Sequence, residues 1–119
     1  DLIVTLPSAG DGNIGDFINI FYTTAIANAN PNTFADPDDG FVVGSTVQRV
    51  GGGSASMANV SVVSQDTITI MGETNGDGGV GTSLKFVNTT GAKSGWMVEA
   101  ITYNQGSGAT LGTIDFSEA

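Results

Sequence analysis

An acidic loop at residues 36–40 holds the side chains best suited to chemistry. It reads Asp-Pro-Asp-Asp-Gly, with three carboxylates in five positions. Ca²⁺ takes about six to eight oxygen ligands and tolerates irregular loops, so Asp36, Asp38 and Asp39 are the candidate metal ligands. A second loop at residues 11–16 adds two carboxylates. Neither loop has the ligand spacing of an EF-hand. The simpler interpretation is that Asp, Asn and Gly form turns on solvated loops.

The chain lacks the side chains that most enzymes use for catalysis. It contains no histidine and no cysteine, so the usual general base near neutral pH and the usual thiolate nucleophile are both missing. The sequence places no two acidic residues at the defined separation that glycoside hydrolysis requires. We therefore predict that the protein is not an enzyme, has no catalytic residues and needs no cofactor, with Ca²⁺ as the one ion to test.

The charge balance argues against nucleic-acid and membrane partners. Twelve acidic residues against three basic ones give a formal net charge of −9, and nucleic-acid binding depends on several Lys or Arg contacts with phosphates. No apolar run approaches the roughly 20 residues that span a bilayer. A length of 119 residues suits one domain, so we predict a single domain over residues 1–119.

Three segments of alternating polarity lie between Asp66 and Thr102. They are Thr67–Met71, Ser83–Val87 and Trp96–Ile101, and the last begins with the only tryptophan. Side chains of a strand alternate between its faces, so each segment has one face to bury and one to expose to water. The connections contain Asn-Gly-Asp-Gly-Gly and Asn-Thr-Thr-Gly, which favour tight turns. The sequence predicts an antiparallel meander of these three strands.

The rest of the chain repeats short strands and glycine-rich turns. We predict further strands at Leu2–Leu6, Phe17–Tyr22, Phe41–Val43, Ser45–Val50, Ala58–Ser64 and Thr110–Phe116. Residues 23–30 fit a strand or a helical turn, and we favour a strand. Residues 31–40 are predicted to form a loop anchored by Phe34. About eight to ten short strands usually pack as two sheets or close into a barrel. We predict an all-β, antiparallel, jelly-roll-like β-sandwich.

The segment at residues 17–22 has apolar side chains on both of its faces. Its two isoleucines share one face and its two phenylalanines share the other. Such a strand is either central in its sheet or has one face against a partner. Edge strands can also add to the sheet of a neighbouring subunit through main-chain hydrogen bonds. The candidate interface residues are Phe17, Phe21, Tyr22 and Phe34.

The larger aromatic side chains permit an alternative interpretation. Trp96, Tyr22 and Tyr103 could form a platform on which a sugar ring stacks. The simpler interpretation is that Trp96 begins a strand and anchors the core. A carbohydrate-binding β-sandwich module, lectin-like or at a fibre tip and with or without Ca²⁺, therefore stays open as a second function.

Four segments together resemble a pattern of tailed-phage virion proteins. They are VTLPSAG at residues 4–10, GNIGDFINI at 12–20, DTITI at 66–70 and GWMV at 95–98. In β-rich modules of those proteins a TLP-x-A-G strand is followed by a G-N-x-G-D-x-I-x-I strand, and a W-x-V strand closes the module. Such modules occur in head-decoration (cement) proteins and in tail-fibre segments. The resemblance covers both ends and the later half of the chain, and residues 23–57 carry little of it.

The resemblance implies a virion structural protein without catalytic residues. The expected protein is a phage capsid decoration or cement protein that binds the outside of the head and stabilises contacts between capsomers. Its expected partners are other copies of itself, as a homotrimer, and the major capsid protein. Its expected location is the virion, at the outer surface of the capsid.

Overall fold

A computed structural model describes residues 2–25, 31–38, 40–51, 54–59, 65–70, 78–92, 95–103 and 114–117. The strands in these residues are β1 (Leu2–Thr5), β2 (Phe17–Phe21), β3 (Asn32–Ala35), β4 (Thr46–Gly51), β5 (Ser54–Asn59), β6 (Thr67–Ile70), β7 (Ser83–Asn88), β8 (Trp96–Tyr103) and β9 (Ile114–Ser117). A short 3-10 turn spans Ala9–Asp11. Within the described ranges, no helix has the length and apolar character needed to cross a bilayer.

The nine described strands form two sheets. The four-stranded sheet has the order β1–β3–β6–β9, and the five-stranded sheet has the order β2–β7–β8–β4–β5. The pairs β1–β3 and β4–β8 are parallel and the other five are antiparallel. Six of the eight steps between successive described strands change sheet. The predicted β-sandwich of short strands is confirmed. Its sheets are mixed and not antiparallel as predicted, because each contains one parallel pair.

The core lies between the two sheets and is centred on three phenylalanine rings. Phe34 of β3, Phe86 of β7 and Phe41 are all fully buried. The ring centroid of Phe86 lies 6.1 Å from that of Phe34 and 6.1 Å from that of Phe41. Because Phe34 and Phe86 belong to different sheets, their contact joins the two layers. Each such side chain contributes roughly 1.5–3 kcal/mol by leaving water.

The hairpin β7–β8 forms as the alternation of the sequence predicts. In β8, Trp96, Val98 and Ala100 are buried, while Glu99 and Ile101 face solvent. Strand β7 shows the same alternation and pairs with β8 in antiparallel register. These two strands lie inside the five-stranded sheet, flanked by β2 and β4. The alternation therefore identifies correctly both the strands and the faces that they bury.

The predicted three-strand meander is wrong in its first strand. Strand β6 lies in the four-stranded sheet, where it pairs with β3 and β9, and β7 lies in the other sheet. Ile68 and Ile70 are fully buried, as the alternation predicts. However, an apolar face fills the core equally well from either layer of a sandwich. Alternation therefore leaves the choice of sheet undetermined, and the pairings of β6 with β3 and β9 decide it.

The predicted loop at residues 31–40 contains a strand instead. Asn32–Ala35 forms β3, which pairs in parallel with β1 and antiparallel with β6. Pro31 and Pro37 bracket this segment, and both residues disfavour regular structure in their vicinity. Strands on both sides supply the main-chain hydrogen bonds that the local sequence does not indicate. Tertiary pairing therefore outweighs the local preference for a loop.

Other strand predictions need correction. Residues 23–25, favoured as a strand, are not in one, and β5 begins at Ser54, before the predicted start at Ala58. Residues 41–43, predicted as a strand, lead into a turn in which the Ser45 amide donates to the Val42 carbonyl at 3.0 Å. Gly44 in this turn has φ of 99°, a conformation that favours glycine. Strand β2, for which a central position was one option, lies at the edge of its sheet. The predicted strand residues 26–30, 60–64, 71 and 110–113 lie outside the described residues.

Candidate interaction surface

The outward side of the five-stranded sheet is the candidate interaction surface, and we call it the outer face. The strand registers arrange its side chains in rows that run across the strands. One row is Phe17, Val87 and Met97. The next row is Asn19, Lys85, Glu99 and Thr46. The third row is Phe21, Ser83, Ile101 and Gln48.

Phe17 and Phe21 are the most exposed aromatic side chains described on the outer face. They are 63% and 67% exposed, because Ile18 and Ile20 of the same strand pack against the core and alternation directs the phenylalanines outward. Tyr103, 40% exposed, lies at the end of β8. The open face of the segment at residues 17–22 is therefore the side that carries the phenylalanines.

The charges of the outer face balance each other. Lys85 of β7 lies directly opposite Glu99 of β8 in the strand register, and both are exposed. They are the only ionised side chains among the described residues of the three rows. The chain as a whole carries a net charge of −9. The outer face is therefore a neutral, partly apolar region of an acidic protein.

Concave features adjoin the exposed side chains, including a cavity of about 250 Å³ whose lining includes Phe17 and Trp96. A groove of about 330 Å³ on the outer face is lined by Thr46, Gln48, Ser83, Lys85, Glu99, Ala100 and Ile101. A second cavity, of about 240 Å³, lies where the edge strands β1 and β2 approach each other, and its lining includes Leu2, Phe21 and Asn32.

Tyr22 and Phe34, predicted as interface residues, lie in the interior. Phe34 is fully buried and Tyr22 is 8% exposed, so neither aromatic ring offers a surface to another subunit. The Asn32 amide donates a hydrogen bond of 2.8 Å to the Tyr22 hydroxyl. Burial raises the pKa of Tyr22, and the hydrogen bond from Asn32 partly opposes this shift. Both side chains therefore have a structural role. The sequence alone could not distinguish this role from a role at an interface.

Trp96 is a core residue and cannot stack on a sugar. It is 3% exposed, and its indole Nε1–H donates a hydrogen bond of 2.8 Å to the Pro7 carbonyl. The interpretation of Trp96 as a core anchor is confirmed, and the predicted platform of Trp96 with Tyr22 and Tyr103 is wrong. Of these three aromatic side chains, only that of Tyr103 is exposed.

The acidic loop at residues 36–40 is held by internal hydrogen bonds. Asp36 is 4% exposed, and its Oδ1 accepts a hydrogen bond from the Asp38 amide at 3.0 Å. The carboxylate of Asp38 accepts from the Ser8 hydroxyl. Burial raises the pKa of Asp36, and repulsion from Asp38 and Asp66 acts in the same direction, against hydrogen bonds from the Asp38 and Gly40 amides.

The metal site predicted in this loop gains no support from the described residues. Among them, no three acidic side chains are grouped in a way that could hold a metal ion. Asp39, the third predicted ligand, lies outside the described residues. In the other acidic loop, Asp16 Oδ2 accepts from the Asn13 amide at 2.8 Å, which is the turn that the simpler interpretation predicts.

Asn88 is a structural residue that the sequence analysis missed. It is fully buried at the end of β7, where its Nδ2 donates to the Ala9 carbonyl at 2.8 Å. Its Oδ1 accepts from the Gly91 amide at 2.9 Å. The side chain therefore fastens the loop that follows β1 to the β7–β8 turn. No local signal could have shown this, because the two bonded segments are 79 residues apart.

Comparisons with protein-family models, with curated proteins and with solved structures found no match to this chain. The structural basis for a function is therefore the geometry of the fold itself. Among the described surfaces, the outer face combines exposed aromatic side chains, a groove and balanced charges.

Proposed function

We propose that the protein is a virion structural protein, a phage capsid decoration or cement protein. In this role it binds the outside of the head and stabilises contacts between neighbouring capsomers. Its partners are the major capsid protein and other copies of itself, three being the number that the sequence resemblance implies. Its location is the outer surface of the capsid.

The observation that carries this proposal is the exposure of Phe17 and Phe21 on the outer face. Exposed apolar patches mark interaction sites, and aromatic side chains are enriched at protein interfaces. Both residues belong to β2, which hydrogen-bonds to β7 along its length. A side chain held on a paired strand loses little freedom when it binds, so this surface suits association between rigid proteins.

The composition supports the same role. A net charge of −9 disfavours contact with packaged DNA and with anionic lipids, so nucleic acids and membranes are not proposed as partners. The chain has no histidine or cysteine, and the proposed role is binding rather than catalysis. A small β-sandwich with paired strands and a phenylalanine-rich core provides the stiffness that a cement protein needs.

Binding to capsids tests the proposal. Heads of the virus that encodes the protein are first stripped of it, and purified protein is then added to them. Co-sedimentation and electron microscopy then measure the amount and position of the bound protein. We expect saturable binding at repeated positions on the outer surface and greater resistance of the heads to heat. An unrelated acidic protein of similar size is the control, and binding no stronger than that of the control would contradict the proposal.

A carbohydrate-binding module is the alternative function, and the groove of the outer face is the observation that favours it. Gln48, Ser83, Lys85 and Glu99 line this groove and can form hydrogen bonds with sugar hydroxyls. A glycan array probed with and without chelator tests this alternative. Retained binding to one glycan, lost in Q48A while the fold persists, would support it over the capsid role.

A further inference from the structure

We infer that the outer face joins two copies of this chain face to face around a two-fold axis. Lys85 of each copy lies against Glu99 of the other. The inference rests on the self-association included in the proposed function. It adds the surface and the paired residues, and it replaces the three copies that the sequence resemblance implies with a two-fold pair.

The strand registers define how two outer faces meet. Lys85 and Glu99 are opposite each other on β7 and β8, and β2 and β4 are the next strands outward on either side. A two-fold axis parallel to the strands and midway between β7 and β8 exchanges these strands between copies. It brings Lys85 of one copy over Glu99 of the other, and Val87 over Met97 in the neighbouring row. Aligned sheets pack face to face about 10 Å apart, with strand directions within about 30° of each other.

The charges of the outer face are complementary to those of a second copy. Two copies with a net charge of −9 each repel each other wherever acidic surfaces meet. On the outer face, one lysine and one glutamate cancel, and the two-fold arrangement sets each next to its opposite. A surface complementary to itself forms an isologous contact, in which residue i meets j and j meets i. A cyclic trimer instead requires two different surfaces that fit each other.

This arrangement buries apolar side chains of the outer face against the second copy. Phe21 at the edge of one copy lies over Gln48 of the other, because β2 and β4 exchange places across the axis. Phe17, in the row of Val87 and Met97, approaches the turn around Gly44. The most exposed phenylalanines of the described chain are thereby removed from water at the rim of the contact.

The size of the outer face indicates a weak and reversible pair. The four strands that overlap, about 4.8 Å apart and about 20 Å long, give a face of about 400 Å² per copy. Two copies therefore bury about 800 Å², which lies below the range of stable specific interfaces and in that of weak, transient ones. Association is consequently expected at protein concentrations of about 10 µM to 1 mM, and more firmly on a capsid that holds copies side by side.

Mixing two charge variants tests the contact between copies. K85E carries two negative charges on the outer face and E99K carries two positive charges, so each variant repels its own kind. In sedimentation equilibrium we expect wild type to form dimers and each variant alone to bind itself at least tenfold more weakly. An equimolar mixture is expected to form dimers again. An ion pair within one chain cannot produce this rescue, because neither variant regains one by mixing.

A matched pair of apolar substitutions provides a second measurement. F21S removes an outer-face side chain that is 67% exposed, and I3S removes one that is 72% exposed on a strand of the other sheet. F21S is expected to weaken dimerisation severalfold, whereas I3S is expected to leave it unchanged. Circular dichroism and thermal unfolding of all four variants establish that each is folded.

Four results would overturn the inference: a monomer at 1 mM, a trimer, a mixture of K85E and E99K that stays monomeric, or equal effects of F21S and I3S. None of them decides whether the protein binds heads, since co-sedimentation with heads measures that separately. Conversely, a dimer with the expected charge rescue that does not bind heads supports this contact and contradicts the capsid role.

Discussion

Asp36 has an environment unlike that of the solvated turn residue predicted from the sequence. The residue is 4% exposed, and its buried Oδ2 has no hydrogen-bond partner in the described part of the chain. Burial disfavours the charged form of such a group, and the carboxylates of Asp38 and Asp66 disfavour it further. The folded state therefore binds the proton of Asp36 more tightly than the unfolded state does.

The pH dependence of D36N tests this description of Asp36. The pKa of the folded state is raised above the usual 3.8. The contribution of this carboxyl to stability therefore rises as the pH falls through the raised pKa, and it is lost as the pH rises toward neutral. We expect D36N to have a higher unfolding midpoint than wild type at pH 7, with a smaller advantage at pH 4. Thermal unfolding from pH 4 to pH 7 measures this.

D11N is the control for D36N. It removes one carboxylate, as D36N does, but this carboxylate is exposed, so the buried groups stay unchanged. An advantage of D36N that is equal at both pH values, or equal to that of D11N, would contradict a buried charge at this position.

The strands illustrate how one alternating pattern serves two purposes. In β7, Leu84 and Phe86 fill the core while Lys85 faces solvent on the outer face. In β2, the inward isoleucines pack on the core, and the outward phenylalanines stay mostly exposed. Apolar residues on the two sides of a sheet therefore have different energetic roles, although their residue types are the same.

Two phenylalanine substitutions separate these roles. F86A removes a fully buried ring between Phe34 and Phe41, and we expect a loss of about 3–5 kcal/mol in the free energy of unfolding. F17A removes a ring that is 63% exposed, and a change within about 0.5 kcal/mol is expected. Urea unfolding measures both.

If F86A does not fold, F86L takes its place, with an expected loss of about 1–2 kcal/mol. A loss in F17A as large as that in the substituted Phe86 would mean that β2 buries both of its faces within one chain.

At the scale of the whole molecule, the net charge opposes the association of copies. Each chain carries −9, and the repulsion between two such bodies acts over the Debye length, about 10 Å at 0.1 M salt and about 30 Å at 0.01 M. The charges of Lys85 and Glu99 meet at short range and are partly desolvated in the proposed pair. Salt therefore screens the long-range repulsion more than the local attraction.

The salt dependence of dimerisation follows from this difference. We expect the association constant of wild type to increase severalfold between about 20 mM and 200 mM NaCl, because the Debye length falls below the distance between most charges of the two copies. Sedimentation equilibrium at each salt concentration measures it. A decrease over this range would mean that exposed opposite charges, rather than the neutral face, bring the copies together.

The alternating segments could be predicted from the sequence where each strand has one buried and one exposed face. Strands β2, β4, β6, β7 and β8 lie where the pattern places them. Strand β1 also lies at its predicted position, although Leu2 and Ile3 are both exposed. Strand β3 could not be predicted from the sequence. Its main-chain pairing with β1 and β6 holds it in a strand, and its own residues do not indicate one. The same limit applies to the interface candidates. Phe17 and Phe34 look alike in the chain, and only the packing of the sheets separates the exposed ring from the buried one.

The amino-acid sequence by itself determined the all-β class, the acidic net charge, the lack of histidine and cysteine, and the period-two burial of the strands. These properties depend on residue type and on near neighbours along the chain. The tertiary structure decided which sheet each strand joins, which aromatic rings stay exposed, and that Lys85 and Glu99 share one neutral face. Those features depend on pairings between residues far apart in the chain, and no local pattern encodes them.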